Sequence, residues 1–182
     1  MVNLAIKFFS IGTLLVYVFF ALLSIFFIFK LQTNKKFEKY YILLQKHALF
    51  FAFLVALGAM FGSLFFSEIA HFEPCTLCWW QRVFLYPQVI ILGVAFWNKD
   101  RQARLYTVPL SLIGACIAGY QYIITALAPV SPLGICSAAG PSCLTNYFTE
   151  FGFITSPFMS FTAFVFILVL VFSWKADYRP IA

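Results

Sequence analysis

Long uncharged runs, rather than a regular alternation of apolar and polar positions, organise this chain. Stretches of about 18 or more apolar residues, enough for a helix to cross a bilayer, fall near residues 8–29, 48–67, 79–97, 105–127 and 158–174. The third carries Arg82 near its start and the fourth begins with Pro109, which a first helical turn tolerates. The pattern predicts five transmembrane helices and an all-α integral membrane protein. Ser156 followed by Pro157 reads as an N-cap and first helical residue, so the last helix is expected to start there.

Composition agrees with the pattern. With 63% hydrophobic and 10% charged residues, a soluble domain of 182 residues is excluded. Charge then orients the spans. Of the 12 basic residues, Lys30, Lys35, Lys36, Lys39 and Lys46 lie between spans one and two. Lys99, Arg101 and Arg104 lie between three and four, and Lys175 and Arg179 follow span five. Because Lys and Arg concentrate on the cytoplasmic side, these segments and the C-terminus are expected inside. The N-terminus and the loops near 68–78 and 128–157 are expected outside; both loops lack Lys and Arg. The net charge of +6 thus reflects topology and anionic lipid headgroups. Binding to nucleic acid would need a folded basic surface, which the sequence does not offer.

The first span resembles a signal peptide in position, but its apolar run is longer than a usual h-region and no A-x-A-like site follows it, so an uncleaved helix is expected. Residues 31–46 form a basic cytoplasmic linker, in which Tyr40 and Tyr41 suit the interface beside span two. His47 reads as an interfacial residue without a role. The outer loop APVSPLGICSAAGPSCLTNYFTEFGFITSP is rich in Pro, Gly and Ser through residue 142. It then becomes amphipathic, with Tyr147, Phe148, Phe151 and Phe153 suited to the headgroup plane.

The candidate chemistry lies in five cysteines. Cys75 and Cys78 sit in the first outer loop and Cys136 and Cys143 in the second, so both pairs face one compartment, one that permits disulfides. Cys116 lies in GACIAG inside span four and is expected to pack between helices as a small group. Gly140-Pro141 can turn the chain back between Cys136 and Cys143, which allows a structural staple as well as a reactive bridge. Cys75-Thr-Leu-Cys78 is the sharper signal. Pro74 favours a turn that opens into a helix at the second cysteine, and the free amides of a helix N-terminus stabilise a thiolate there. Arg82, four residues after Cys78, lies on the same helical face about one turn deeper. Its guanidinium can snorkel to headgroups, or favour an ionised sulfur and hold an oxygen that gains electron density. A zinc site built from both pairs is disfavoured by the six-residue gap in the second pair and by an oxidising location.

The segment CTLCWWQR, with Cys75, Cys78, Trp79, Gln81 and Arg82 matching C-x-x-C-W-x-Q-R, resembles the DsbB and BdbC family of membrane disulfide-forming oxidoreductases. More distantly it is similar to vitamin K epoxide reductases. The second cysteine pair before the last span and GFITSP at 152–157 add to the resemblance, which covers about residues 45–174. The chain departs from the family in three ways. An additional N-terminal span (1–30) and the linker (31–46) precede the core. Gln121 follows Tyr120 where the family often has a histidine. The second cysteine pair is closer together.

The resemblance implies a four-helix transmembrane core at 47–174, a cytoplasmic tail at 175–182, and a bacterial cytoplasmic (inner) membrane location. It implies that Cys75–Cys78 and Cys136–Cys143 are redox-active disulfides serving a thioredoxin-like, DsbA-type carrier outside the cytoplasm. Electrons would pass to a lipid-borne quinone, ubiquinone or menaquinone, beside Cys78, Trp79, Gln81 and Arg82, with no metal. Cys136 would take the carrier and Cys143 would attack Cys75, releasing Cys78. Trp80 reads as a membrane-belt residue. A quinone or epoxide reductase running on the same thiols, or a scaffold stapled by two structural disulfides, is the competing reading. A scaffold would keep both bridges when mixed with a reduced carrier.

Overall fold

The computed structural model describes positions 4, 6, 7, 10–12, 14, 15 and 18, then residues 35–98 (35–46 as backbone), 100, 102–126, 149 and 154–174. There are four long helices: α1 (Lys35–Leu64), α2 (Thr76–Asn98), α3 (Ala103–Ala126) and α4 (Ser156–Ser173), with no β-strand among the described residues. Within them, His47–Ile69, Thr76–Asn98, Ala103–Ala126 and Ser156–Ser173 are long and apolar enough to cross a membrane. The last four expected spans are therefore present to within a few residues. Most of span 8–29, the loop at 128–148 with Cys136 and Cys143, and the tail at 175–182 lie outside the described residues.

Residues 35–46 of the expected basic linker are helical and continuous with α1; the stretch contains neither Gly nor Pro and carries four Lys, two Leu, a Glu and a Gln, which favour helix. Two expectations about helix boundaries are corrected. Pro109 lies within α3, which starts six residues earlier at Ala103, so it is not a first-turn proline. The cap of α4 is Thr155, in extended conformation (φ −120°, ψ 167°), with its carbonyl accepting the Met159 N–H at 3.0 Å. Ser156 is thus already helical and Pro157 lies in the first turn, where its missing N–H costs no hydrogen bond.

Contacts run from α1 to α2, α2 to α3, α3 to α4 and back from α4 to α1, with little across the α2–α4 diagonal. Each helix buries one stripe. On α2 it is Gln81, Leu85, Gln88, Val89, Leu92 and Ala95; on α3 it is Thr107, Ser111, Gly114, Ala115, Ala118 and Gln121. The spacing of three and four residues is that of a helix seam. On α1, Ala48, Ala52 and Ala56 are fully buried at four-residue intervals, a small-residue row that lets neighbouring helices approach. Gly114 serves the same end on α3: a Cβ there would collide with the ring of the fully buried Phe164 of α4. The outward faces carry Ile90, Trp97, Leu105, Leu112 and Phe172, as a lipid-facing surface requires. Cys116 belongs to this outward face. The expectation that it packs between helices is corrected, because it falls outside the phase set by Ser111, Ala115 and Ala118.

The connection from α1 to α2 shapes the end of the bundle that carries the cysteines. α1 passes into a π-helical turn at Phe65–Ile69, a feature frequent near functional sites. His71 then takes a left-handed conformation (φ 55°). The Phe72 N–H donates to the Phe66 carbonyl at 2.9 Å, and the two rings stack with centroids 6.0 Å apart. The chain is thereby turned back so that Pro74 leads directly into α2.

Candidate active site

α2 opens at Thr76, two residues before the expected start at Cys78, so Cys75 occupies the N-cap position and Cys78 the third helical position. The Cys75 carbonyl accepts the Trp79 N–H at 3.1 Å, closing the first helical turn. This geometry places the two sulfurs side by side: the Cys75 Sγ donates to the Cys78 Sγ across 3.4 Å, and no disulfide joins them. Cys75 is buried and Cys78 half-buried. The Cys75 thiol is held well above the ordinary thiol range of about 8.5. The hydrogen bond it makes to Cys78 is the main cause, followed by burial and the charge of Cys78. The backbone N–H groups of Cys78 and Leu77 pull the other way.

The third partner of the pair comes from α3. Gln121, one of the three departures from the family noted in the sequence, donates from Nε2 to Cys75 Sγ at 3.3 Å and to Cys78 Sγ at 3.4 Å. Its Oε1 accepts from Gln81 Nε2 at 2.6 Å. Both glutamines are buried. A signal for Gln121 existed in the sequence. Position 121 continues the row Thr107, Ser111, Ala118 that α3 turns inward, and a buried amide in a membrane helix needs a partner.

Arg82 is fixed to the end of α1. Its Nε donates to Ser63 Oγ at 2.9 Å and its Nη2 to the Ser63 carbonyl at 3.1 Å. The guanidinium carbon lies 5.2 Å from the centre of the Trp79 ring, within cation–π range. Among the described residues, two of the five guanidinium N–H groups have a hydrogen-bond partner and the other three do not. Cys78, Gln81 and Arg82 open together onto a largely apolar cavity of about 350 Å³. Its walls come from α1 (Val55, Gly58, Ala59), α4 (Met159, Ala163, Phe166) and, from the N-terminal segment, Gly12.

Trp79 does not line this cavity. It borders a shallower, more polar one of about 300 Å³ with Glu68, His71, Glu73 and Arg82. Trp80 is half exposed and stacks on Phe84, with centroids 6.4 Å apart. No cluster of three or more metal-binding side chains occurs among the described residues.

A membrane-type helical bundle with a close dithiol at one end, hydrogen-bonded across helices and open to an apolar cavity, has the construction of a membrane thiol–disulfide oxidoreductase. Comparison with known proteins agrees. Residues 45–174 match the family model described as disulfide bond formation protein DsbB, and the chain belongs to that family. The chain is 44% identical over 128 residues to the probable disulfide formation protein C 1 of Bacillus anthracis, covering 70% of this chain and 91% of the relative. It is 40% identical over 129 residues to the disulfide bond formation protein C of Bacillus subtilis strain 168, covering 71% and 93%. A probable disulfide formation protein of Coxiella burnetii is 38% identical over 133 residues, covering 71% and 90%. No solved structure gives a significant match.

Proposed function

We propose that this protein reoxidises a thioredoxin-like, DsbA-type dithiol carrier outside the cytoplasm and delivers the electrons to a membrane quinone. The observation that supports this most directly is the shared cavity: Cys78 of the dithiol and the half-committed guanidinium of Arg82 line one apolar space of about 350 Å³.

The cavity's donor set suits a flat, apolar molecule with a carbonyl oxygen. Arg82 offers N–H groups not taken by Ser63, Cys78 offers its sulfur, and Val55, Ala59, Met159 and Phe166 offer apolar walls. Gly58 and Gly62 add room on the α1 side. A quinone, when bound, supplies a two-electron, two-proton acceptor. The protein's own residues do the rest. Ser63 holds Arg82 in place, Arg82 stabilises negative charge on an oxygen, and burial excludes water from Cys75.

On this reading the carrier's thiolate attacks Cys136 of the Cys136–Cys143 disulfide and Cys143 leaves. A second carrier thiol then displaces Cys136, so that the carrier departs as a disulfide and Cys136 and Cys143 are left reduced. The Cys143 thiolate attacks Cys75 of a Cys75–Cys78 disulfide, Cys78 leaves, and Cys136 resolves the mixed bond. One disulfide has moved outward, and two electrons and two protons now reside on Cys75 and Cys78. The positive-inside pattern favours an extracytoplasmic position for this end of the bundle, in a bacterial cytoplasmic membrane.

The test is anaerobic mixing of the purified protein with quinone and a reduced thioredoxin-like carrier. One carrier disulfide should appear for each quinol formed. Arg82→Met should raise the apparent KM for quinone at least tenfold, the loss expected for a charged hydrogen bond of about 1.5–3 kcal/mol. Oxidation of the carrier by the preoxidised protein should change less than twofold. Carrier oxidation that continues without quinol beyond the two equivalents the protein's own disulfides can supply would overturn the reading.

A further inference from the structure

We propose that Gln121 sets the redox poise of the Cys75–Cys78 pair, and that Gln81 is the positioning residue that aims it. This rests on the pair being the redox-active one of the preceding section, but on neither the quinone nor the carrier.

A carboxamide has two donors and one acceptor oxygen. At Gln121 all three are spent in a way that leaves little choice. The Oε1 accepts from Gln81 Nε2 at 2.6 Å, and at a longer 3.9 Å from Cys78 Sγ, while the NH₂ group faces the sulfurs, 3.3 Å from Cys75 and 3.4 Å from Cys78. Gln121 is 4% exposed and Gln81 6%, so water cannot substitute for either partner. Without Gln81 the amide could turn over and present its oxygen to the thiols instead.

The consequence for redox chemistry follows from what the sulfurs become. Reduced sulfurs, and above all a thiolate, accept hydrogen bonds from N–H donors. The sulfurs of a disulfide are weak acceptors with less charge to stabilise. Two N–H groups aimed at the pair therefore favour its reduced form over the disulfide, and a low-dielectric surrounding enlarges the difference. Gln121 makes the Cys75–Cys78 disulfide a stronger oxidant than the same two cysteines would form alone, which is the direction a disulfide donor needs.

The full-length chain with Cys116, Cys136 and Cys143 replaced by alanine isolates the pair. It is equilibrated anaerobically with glutathione buffers, quenched with acid and its thiols counted. In each turnover one glutathione disulfide takes two electrons and two protons from Cys75 and Cys78, leaving two glutathione thiols and one protein disulfide. Gln121→Met keeps the length of the side chain and removes the donors. It should shift the equilibrium about tenfold toward the protein disulfide, equivalent to a potential about 30 mV lower. Gln81→Met should shift it the same way by about threefold. Gln121→His, which restores a ring N–H, should recover the parent value to within about threefold.

A Gln121→Met equilibrium within twofold of the parent, or displaced toward the dithiol, overturns the inference. Should Gln121→Met fail to accumulate in the membrane, Gln81→Met decides alone: an unchanged equilibrium sinks the proposal and a shift toward disulfide sustains it. Because glutathione replaces both quinone and carrier, failure of the quinone reading leaves this measurement intact.

Discussion

Gln81 and Gln88 lie seven residues apart on the same buried stripe of α2, about 10 Å along the axis, and they teach different lessons. Gln88 closes on its surroundings: its Oε1 accepts from Ser111 Oγ at 2.8 Å and its Nε2 donates to the Phe84 carbonyl at 2.9 Å. Gln81 passes its hydrogen bond to Gln121, which passes two more to sulfur. The residue type and burial are alike. The difference is whether the last donor in the row ends on a backbone carbonyl or on the sulfurs of the dithiol. A buried amide in a membrane bundle is glue in the first case and, on the proposed reading of the dithiol, part of the chemistry in the second.

If the deeper layer is scaffold alone, overfilling it should remove the fold without altering the chemistry of the molecules that survive. Gly114 is the sharpest place to try, since a side chain there must displace the Phe164 ring. Gly114→Val should destabilise by about 3 kcal/mol, the upper range for overpacking. The check is thermal unfolding in detergent, with the glutathione equilibrium of the folded fraction staying within twofold of the parent. A changed equilibrium would mean that the two layers are coupled.

A smaller effect probes the deep pair itself. Ser111→Ala leaves the Gln88 Oε1 without its donor and should cost about 1 kcal/mol, in line with interhelical hydrogen bonds in membranes. Gln88→Leu combined with Ser111→Ala should cost less than the sum of the two single changes, because no polar atom is then stranded. Neither variant should move the glutathione equilibrium, whereas Gln81→Met should.

How much of this was legible in the sequence follows from the range of each signal. The spans at 48–67, 79–97, 105–127 and 158–174 could be read because lipid imposes a minimum uncharged length on each helix by itself. Cys75, Cys78 and Arg82 could be read together because offsets of three and four residues share one helical face. Gln121 is 43 residues from Cys78, and no local spacing connects them. Its place becomes visible only through the phase of α3, in which Thr107, Ser111, Ala118 and Gln121 share a stripe while Cys116 points outward. Ser63, the anchor of Arg82, was hidden for the same reason. In the N-terminal segment, Ile6 and Ser10 are buried and Gly12 reaches the cavity wall, a contribution that an uncharged run announces as a span but not as a neighbour of the site.

The finest test of the contrast concerns the proton on Cys75. At Gln88 the hydrogen bonds end on atoms that do not titrate; at the dithiol they end on sulfurs that do. Cys75 donates to Cys78 and is buried, and both effects hold its pKa above the ordinary thiol range. A thiol alkylates as its thiolate, so raising the pH through about 8.5 should activate an ordinary cysteine while Cys75 stays slow. Between pH 7 and 9.5, iodoacetamide should therefore label added glutathione with the rising profile of an ordinary thiol and leave Cys75 nearly flat. In Cys78→Ala the main cause of the shift is gone but burial remains. The labelling rate of Cys75 at pH 9 should then rise at least threefold, short of the rate of an exposed cysteine. A Cys75 that labels like glutathione in the unaltered protein would show that the hydrogen bond between the two sulfurs does not govern the proton, and the division between a chemical and a structural polar layer would lose its clearest mark.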